Sequence, residues 1–176
     1  SYVGARHELP ITKFPGARAE TEFAFRLTAT PHLRTAPWTA AEMESMMILH
    51  PAIEIIGNRY RLEGADKAEN SLMTIADNGG GIGFVFGDPV ADWQVIDFQQ
   101  HMITLSVSGG TPAENFLGEM RCLPAQAAAD LVNHLAARGH MLAAGDFIST
   151  GAASVPQPFA GGDTVSADFG PLGVIE

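Results

Sequence analysis

From Thr21 to Thr28 the chain alternates residue by residue. Phe23, Phe25 and Leu27 lie on one face, and Glu20, Glu22, Ala24 and Arg26 on the other. A β-strand buries the phenylalanines while turning both glutamates to the opposite side, because its side chains point to the two faces in turn. Such a strand needs a second layer against its apolar face. That requirement sets the fold problem for the rest of the sequence.

The flanking segments supply few helices and many short strands. Segment 1–19, with Pro10, Pro15 and Gly16, reads as an extended lead-in, and 29–38, with Pro31 and Pro37, as a loop. Thr39 and Glu42 have capping-box spacing, and Trp38 with Met43 has that of a hydrophobic staple. A helix over Ala40–Leu49 is expected, stopped by Pro51, with Met43, Met46 and Met47 as core packing. Ala52–Ile56 reads as a short strand. Residues 65–76 read as a helix with Leu72, Met73 and Ile75 inward, and Asn78–Gly81 as a glycine turn. The run Gly79-Gly80-Gly81 lacks the Lys-Ser/Thr of a phosphate loop and is read as that turn alone. Strands are expected at 84–86, 93–99, 101–107, 146–150 and 164–169. A helix over 125–138 turns Ala128, Leu131, Val132 and Leu135 inward and ends at Gly139.

Composition bounds the function. A formal charge of −10 argues against a nucleic-acid surface, which needs clustered Lys and Arg. No apolar run is long enough to span a bilayer, and no charged-then-apolar leader is visible. The single cysteine, Cys122, excludes an internal disulfide framework, reads as inert, and points to a cytoplasmic setting. An acidic chain that takes an acidic substrate needs a local positive charge, and a bound cation is one source.

Glu20 and Glu22 leave the same face about 7 Å apart at their Cα atoms. Glu54 is the lone charge among Ile53, Ile55 and Ile56, where a carboxylate is costly unless paired or metal-bound. If the three converge, each close pair repels by roughly 4 kcal/mol at about 4 Å, and a dication reverses that sign. All-oxygen ligation selects Mg2+ or Mn2+ over Zn2+. The plain alternatives are a solvated E-x-E face and pairing of Glu54 with Arg59 or Arg26. His50, beside Pro51, is either an acid/base group or a polar helix end.

Four stretches carry a wider pattern: Ala19-Glu20-Thr21-Glu22-Phe23-Ala24-Phe25; Pro51-Ala52-Ile53-Glu54-Ile55-Ile56 with Arg59; Ile75-Ala76-Asp77-Asn78 leading to Phe84-Val85-Phe86-Gly87; and Leu135-Ala136-Ala137-Arg138-Gly139 through Ala144-Gly145-Asp146 to Thr150-Gly151 and Gly162-Asp163. In order and spacing they resemble the fumarylacetoacetate hydrolase superfamily, in its branch of 2-keto-4-pentenoate hydratases and 4-oxalocrotonate decarboxylases. The resemblance implies a mixed α/β, β-rich domain: a curled mixed β-sheet roll of the fumarylacetoacetase C-terminal-like type with a few flanking helices. It implies one metal-binding domain over 1–176, without the family's N-terminal region and its catalytic lysine; the chain's lysines are Lys13 and Lys67. Glu20, Glu22 and Glu54 match the positions that hold Mg2+ or Mn2+ in the family. Thr150 and Gly151 fall where the family meets the substrate carboxylate, or are simply a strand end and a turn. Asp77 and Arg59 are the catalytic candidates. Their plain readings are a turn cap and an ion pair, for Arg59 with Glu54.

The implied activity is a metal-dependent lyase of aromatic catabolism: a hydratase of 2-hydroxypenta-2,4-dienoate-like acids, alternatively a 4-oxalocrotonate (2-oxo-3-hexenedioate) decarboxylase, or a catalytically impaired partner subunit. The implied assembly is a homo-oligomer. Departures from the family pattern bear on the last alternative. Gly57-Asn58-Arg59 stands where Asp-Ser-Arg is usual, Asp77-Asn78-Gly79-Gly80 where Asp-Asn-Ala-Ser is usual, and Cys122-Leu123-Pro124 replaces a Gly-His-Pro entry to the late helix.

Overall fold

Ten alternating residues, Arg18–Leu27 (β2), form the strand expected around the two glutamates, extended three residues toward the N-terminus. The structure is a computed structural model that describes residues 1–57, 59–60, 64 and 66–176. Asn58, and Ala65 where a helix was expected to begin, lie outside the described residues. β2 pairs antiparallel along its whole length with Met47–Ile56 (β3), which pairs with Gly81–Phe86 (β4), and β4 runs parallel to the short Tyr2–Val3 (β1). On its other edge β2 pairs with Phe147–Ala152 (β6) and Gln157–Pro158 (β7). A second sheet joins Thr104–Val107 (β5), Val165–Asp168 (β8) and Val174–Ile175 (β9). Strands dominate, with few helices, as expected.

The core lies between the two sheets. Phe23, Phe25, Leu27, Leu49, Ile53 and Val85 from the first meet Leu105, Ala167, Phe169 and Ile175 from the second. Helix Ala40–Glu44 (α1) adds Met43, and Pro124–Ala136 (α3) adds Ala128, Ala129 and Val132. The capping box at Thr39 and Glu42 forms as expected. Asn133 of α3 clamps the backbone of Trp38 through both amide ends, at 2.7 and 2.9 Å. Gly139 (φ 73°) ends α3, and His140 N–H donates to Leu135 O at 3.0 Å. Leu131, expected inward, is instead exposed at the rim.

Several expectations are corrected. The helix from Ala40 stops at Glu44 rather than Leu49, and Pro51 lies inside β3 instead of ending a helix. The reason is a change of period: Met47, Leu49, Ile53 and Ile55 fall at every second position on the core face, β2 pairs with the whole segment, and β4 pairs with its Ala52–Ile56 half. Proline is tolerated because its nitrogen faces the end of β4. Gly87 N–H donates to Pro51 O at 2.8 Å, and His50 Nδ1, not a backbone amide, donates to Gly87 O at 2.8 Å. Helix Lys67–Ala76 (α2) buries none of its residues, so Leu72 and Ile75, expected inward, face out. Asn78–Gly80 makes the expected turn, but β4 begins straight after it, at Gly81 instead of Phe84. No strand covers 93–99. Trp93–Val95 is a 3-10 turn whose Trp93 drops into the core and donates to Met47 O at 3.2 Å.

The lead-in is seated by glycines. A methyl group on Gly57 would lie 2.7 Å from Pro15 O and 2.6 Å from Ile82 Cδ1, and one on Gly83 would lie 2.8 Å from the Phe14 ring. The Pro15 backbone thus fills the space that a side chain at position 57 would take. Gly57→Ala is expected to lose about 1–3 kcal/mol of stability through overpacking. Urea denaturation checks this, and an unchanged midpoint would show that the lead-in does not press on Gly57.

Candidate metal centre

The β2–β3 register builds the site. Glu20 stands directly opposite Glu54, and Glu22 opposite Ala52, so Glu22 is the diagonal neighbour of Glu54 on the same face. One carboxylate oxygen from each of the three lies within 4.8 Å of the others. Oxygens trans across an octahedral Mg2+ stand about 4.2 Å apart, so small rotations close this set on one ion. Glu22 is 2 % exposed, Glu20 9 %, and Glu54 is half-buried.

Burial and mutual repulsion shape the electrostatics. Loss of hydration, followed by the neighbouring Glu54, pushes Glu20 up to about 7. Glu22 is pushed up to about 9 by the same causes, partly offset by the Gly151 N–H that donates to its Oε2 at 3.2 Å. Carboxylates so placed share protons in the absence of a cation. A divalent ion supplies the opposite charge that this donor set lacks, and three carboxylate oxygens match a hard cation.

Elements behind the triad fix it in place. A bulge shifts the β2–β6 register between Glu22 and Ala24, with the extra residue on β6 where Gly151 takes φ 101°. Thr150 Oγ1 donates to Phe23 O at 2.6 Å, so both residues expected to meet a substrate carboxylate already bond the glutamate strand. Thr21 Oγ1 bonds Ser154 Oγ at 2.8 Å beneath the triad. Arg121, which sequence reading missed, is 3 % exposed; it donates to Phe98 O and Ala153 O, each at 2.8 Å, and lies 5.5 Å over the Phe23 ring. Its position next to Cys122 in a turn gave no signal of this role. Cys122 is exposed, its Sγ donates to Thr150 O at 2.6 Å, and loss of hydration around the sulfur pushes its thiol up.

Arg59 does not pair with Glu54. Its guanidinium bonds Asp77 Oδ1, Asp77 O and Gly81 O, while its N–H donates to Asp77 Oδ2 at 2.9 Å. The ion pair holds Asp77 below the usual carboxylate range. The two catalytic candidates therefore meet each other, and they fasten the 77–81 turn whose Gly81 backbone abuts Glu54: a Cβ there would lie 2.6 Å from Oε1. His50 lies on the triad's face, not at a helix end, and is 3 % exposed. A cavity of about 500 Å3 opens on the opposite side of the sheet, floored by Ala19, Ile53, Ile55 and Val85. His7, Glu8, Asp163 and Glu176 line it, but among the described residues only the triad brings three ligating groups close enough to share one ion, so the triad is the candidate site.

The chain is similar to 4-oxalocrotonate decarboxylases. It is 28 % identical to the one from Pseudomonas sp. (strain CF600) over 119 residues, which is 68 % of this chain and 44 % of that protein. Against the Pseudomonas putida protein it is 26 % identical over 125 residues, 71 % of this chain and 46 % of the relative. The chain thus spans less than half the length of these curated relatives. The solved 4-oxalocrotonate decarboxylase from Pseudomonas putida G7, complexed with magnesium and adipate, superposes with a TM-score of 0.76 at 23 % identity, covering 99 % of this chain and 63 % of that one. A 2-hydroxyhepta-2,4-diene-1,7-dioate isomerase from Mycobacterium marinum superposes at 0.62 with 16 % identity, covering 99 % and 61 %. No family model matches the chain. The shared fold includes the curled β-rich architecture expected from the sequence.

The triad sets a pH dependence. Carboxyls whose folded pKa lies above the unfolded value bind protons more tightly in the folded state. Their contribution to stability is therefore full below about 4.5 and declines as pH rises toward about 7 for Glu20 and about 9 for Glu22. The melting temperature of the chelator-treated protein is expected to fall between pH 5 and 9, and saturating Mn2+ is expected to remove most of that fall. A flat profile without metal would refute the crowding of these carboxylates.

Proposed function

We propose that the chain is the metal-bearing part of an enzyme of the fumarylacetoacetate hydrolase type, a carboxy-lyase acting on a conjugated 2-oxo or dienol diacid. The single observation that carries this reading is the convergence of Glu20, Glu22 and Glu54 on one sheet face. The decarboxylase is favoured over the hydratase by the names of the two curated relatives. Glu20, Glu22 and Glu54 would hold Mg2+ or Mn2+, which supplies positive charge to the 2-oxo acid end, where negative charge develops during reaction. Gly151 N–H orients Glu22, and the Arg59–Asp77 pair positions the turn behind Glu54. Thr150 has a hydroxyl oxygen left to accept from a protonated substrate group. The setting we propose is a cytoplasmic homo-oligomer with residues 1–176 as its metal-binding domain. Among the described residues no helix is long and apolar enough to cross a membrane.

A second reading, a partner subunit that binds metal without turnover, is favoured by Gly57, which leaves no room for the family's carboxylate, and by the mutual engagement of Arg59 and Asp77. Wild-type protein is expected to bind Mn2+ and to turn over 2-oxo-3-hexenedioate in its presence. Glu20→Gln with Glu22→Gln is expected to lower Mn2+ affinity at least about 100-fold while circular dichroism stays native. Unchanged affinity in the double variant would falsify the site. Metal uptake without turnover would select the partner reading.

A further inference from the structure

The face that carries the triad continues along the sheet. In β2 the alternation Glu20, Glu22, Ala24, Arg26 is unbroken, because the pairing with β3 is continuous and the bulge residue lies on β6. Beside these stand Glu54, Ala52 and His50 of β3, Phe84 and Phe86 of β4, and Phe147 of β6. Phe84 is the cross-strand neighbour of Glu54, and Phe147 of Arg26. The small Ala24 and Ala52 let the three rings close over them. Phe84 stacks on Phe86 at 5.0 Å and Phe86 on Phe147 at 4.0 Å, each pair near-parallel. The outer edges of this row of stacked rings, with Phe86 buried between its neighbours, form an aromatic shelf from beside Glu54 to Arg26.

At its far end two polar groups lack partners. Arg26 is half-buried and makes no ion pair or hydrogen bond among the described residues. His50 is its diagonal neighbour across the ladder. Since Gly87 O can only accept, the proton of neutral His50 is on Nδ1, leaving a lone pair on Nε2, which is buried without a partner. Arg26 has donors to spare and His50 has an acceptor to spare. The other charged group near the ring is Asp88, exposed just past β4.

Resting on the metal reading above, we infer that Arg26 determines specificity by taking the far carboxylate of a diacid whose planar chain lies on the Phe84–Phe86–Phe147 shelf, with His50 Nε2 positioning the guanidinium. The lengths agree. Arg26 Cα is about 13 Å along the strand from Glu22 Cα. A six-carbon diacid spans roughly 7 Å between carboxylates, and an extended arginine reaches back roughly 6 Å. A monoacid of the same length leaves the arginine unpaired and gains only the shelf.

Two probes isolate the far carboxylate: 2-oxohexanedioate and 2-oxohexanoate, which share the chelating end. Calorimetric titration into Mn2+-loaded wild-type protein is expected to show at least about tenfold tighter binding of the diacid, as suits a charge-assisted contact at a half-buried site. Arg26→Met is expected to erase that preference while leaving 2-oxohexanoate and Mn2+ affinities unchanged. His50→Ala is expected to reduce the preference in part, and His50→Gln to restore it. Equal binding of both acids by wild type, or a preference that survives Arg26→Met, overturns the inference. Absence of Mn2+ uptake by wild type overturns the functional reading first, and this inference with it.

Discussion

Glu20 and Glu54 face each other across a ten-residue antiparallel ladder, a position where like charges oppose folding. The surrounding structure is arranged to hold that juxtaposition. The underside of the same strands is continuous core, from Ala19 through Leu27 and from Met47 through Ile55. A one-residue slip would carry every one of those side chains into the acidic face, so the hydrophobic pattern fixes which face bears the carboxylates. Burial beneath the sheet thereby holds together the charges above it.

Around the pair, the supporting contacts are mostly backbone. Arg121 spends its charge on carbonyl groups under Phe23, the Thr150 hydroxyl bonds the strand next to Glu22, and Arg59 ties the turn behind Glu54 to Asp77. Such pins hold the strands that carry the three glutamates without adding further acids to a crowded face. Close glycines serve the same end by letting the lead-in and the 77–81 turn approach the strands at van der Waals distance.

Much of this was legible in the sequence. The alternation about Glu22, the capping box at Thr39, the α3 helix with its turn at Gly139, and the three converging glutamates were readable, because each is a local pattern or lies in a matching motif. What was not readable depends on partners far along the chain. Met47–Leu49 has the composition of a helix and becomes strand because β2 pairs with it, with Val90 bridging Leu49 on the other side. Leu72 and Ile75 have helical spacing, yet nothing among the described residues packs on them. The partner of Arg59 is Asp77 because the turn brings it there, a placement no pair spacing reveals. Arg121 meets the carbonyl groups of Phe98 and Ala153, and Phe147 meets Phe86, only because the fold brings distant segments together.

Proline in a central strand has a further consequence. Displacing β3 by two residues against β4 would keep every side chain on its proper face, so the apolar pattern cannot forbid that slip. Pro51 can. In the observed alignment its missing donor falls at the last rung, where the His50 ring bonds Gly87 O in its stead. Two residues further in, the same ring nitrogen would confront Val85 in mid-ladder and remove a donor from the middle of the β3–β4 pairing. The proline is thus an alignment key, selecting among arrangements that hydrophobicity alone leaves equivalent.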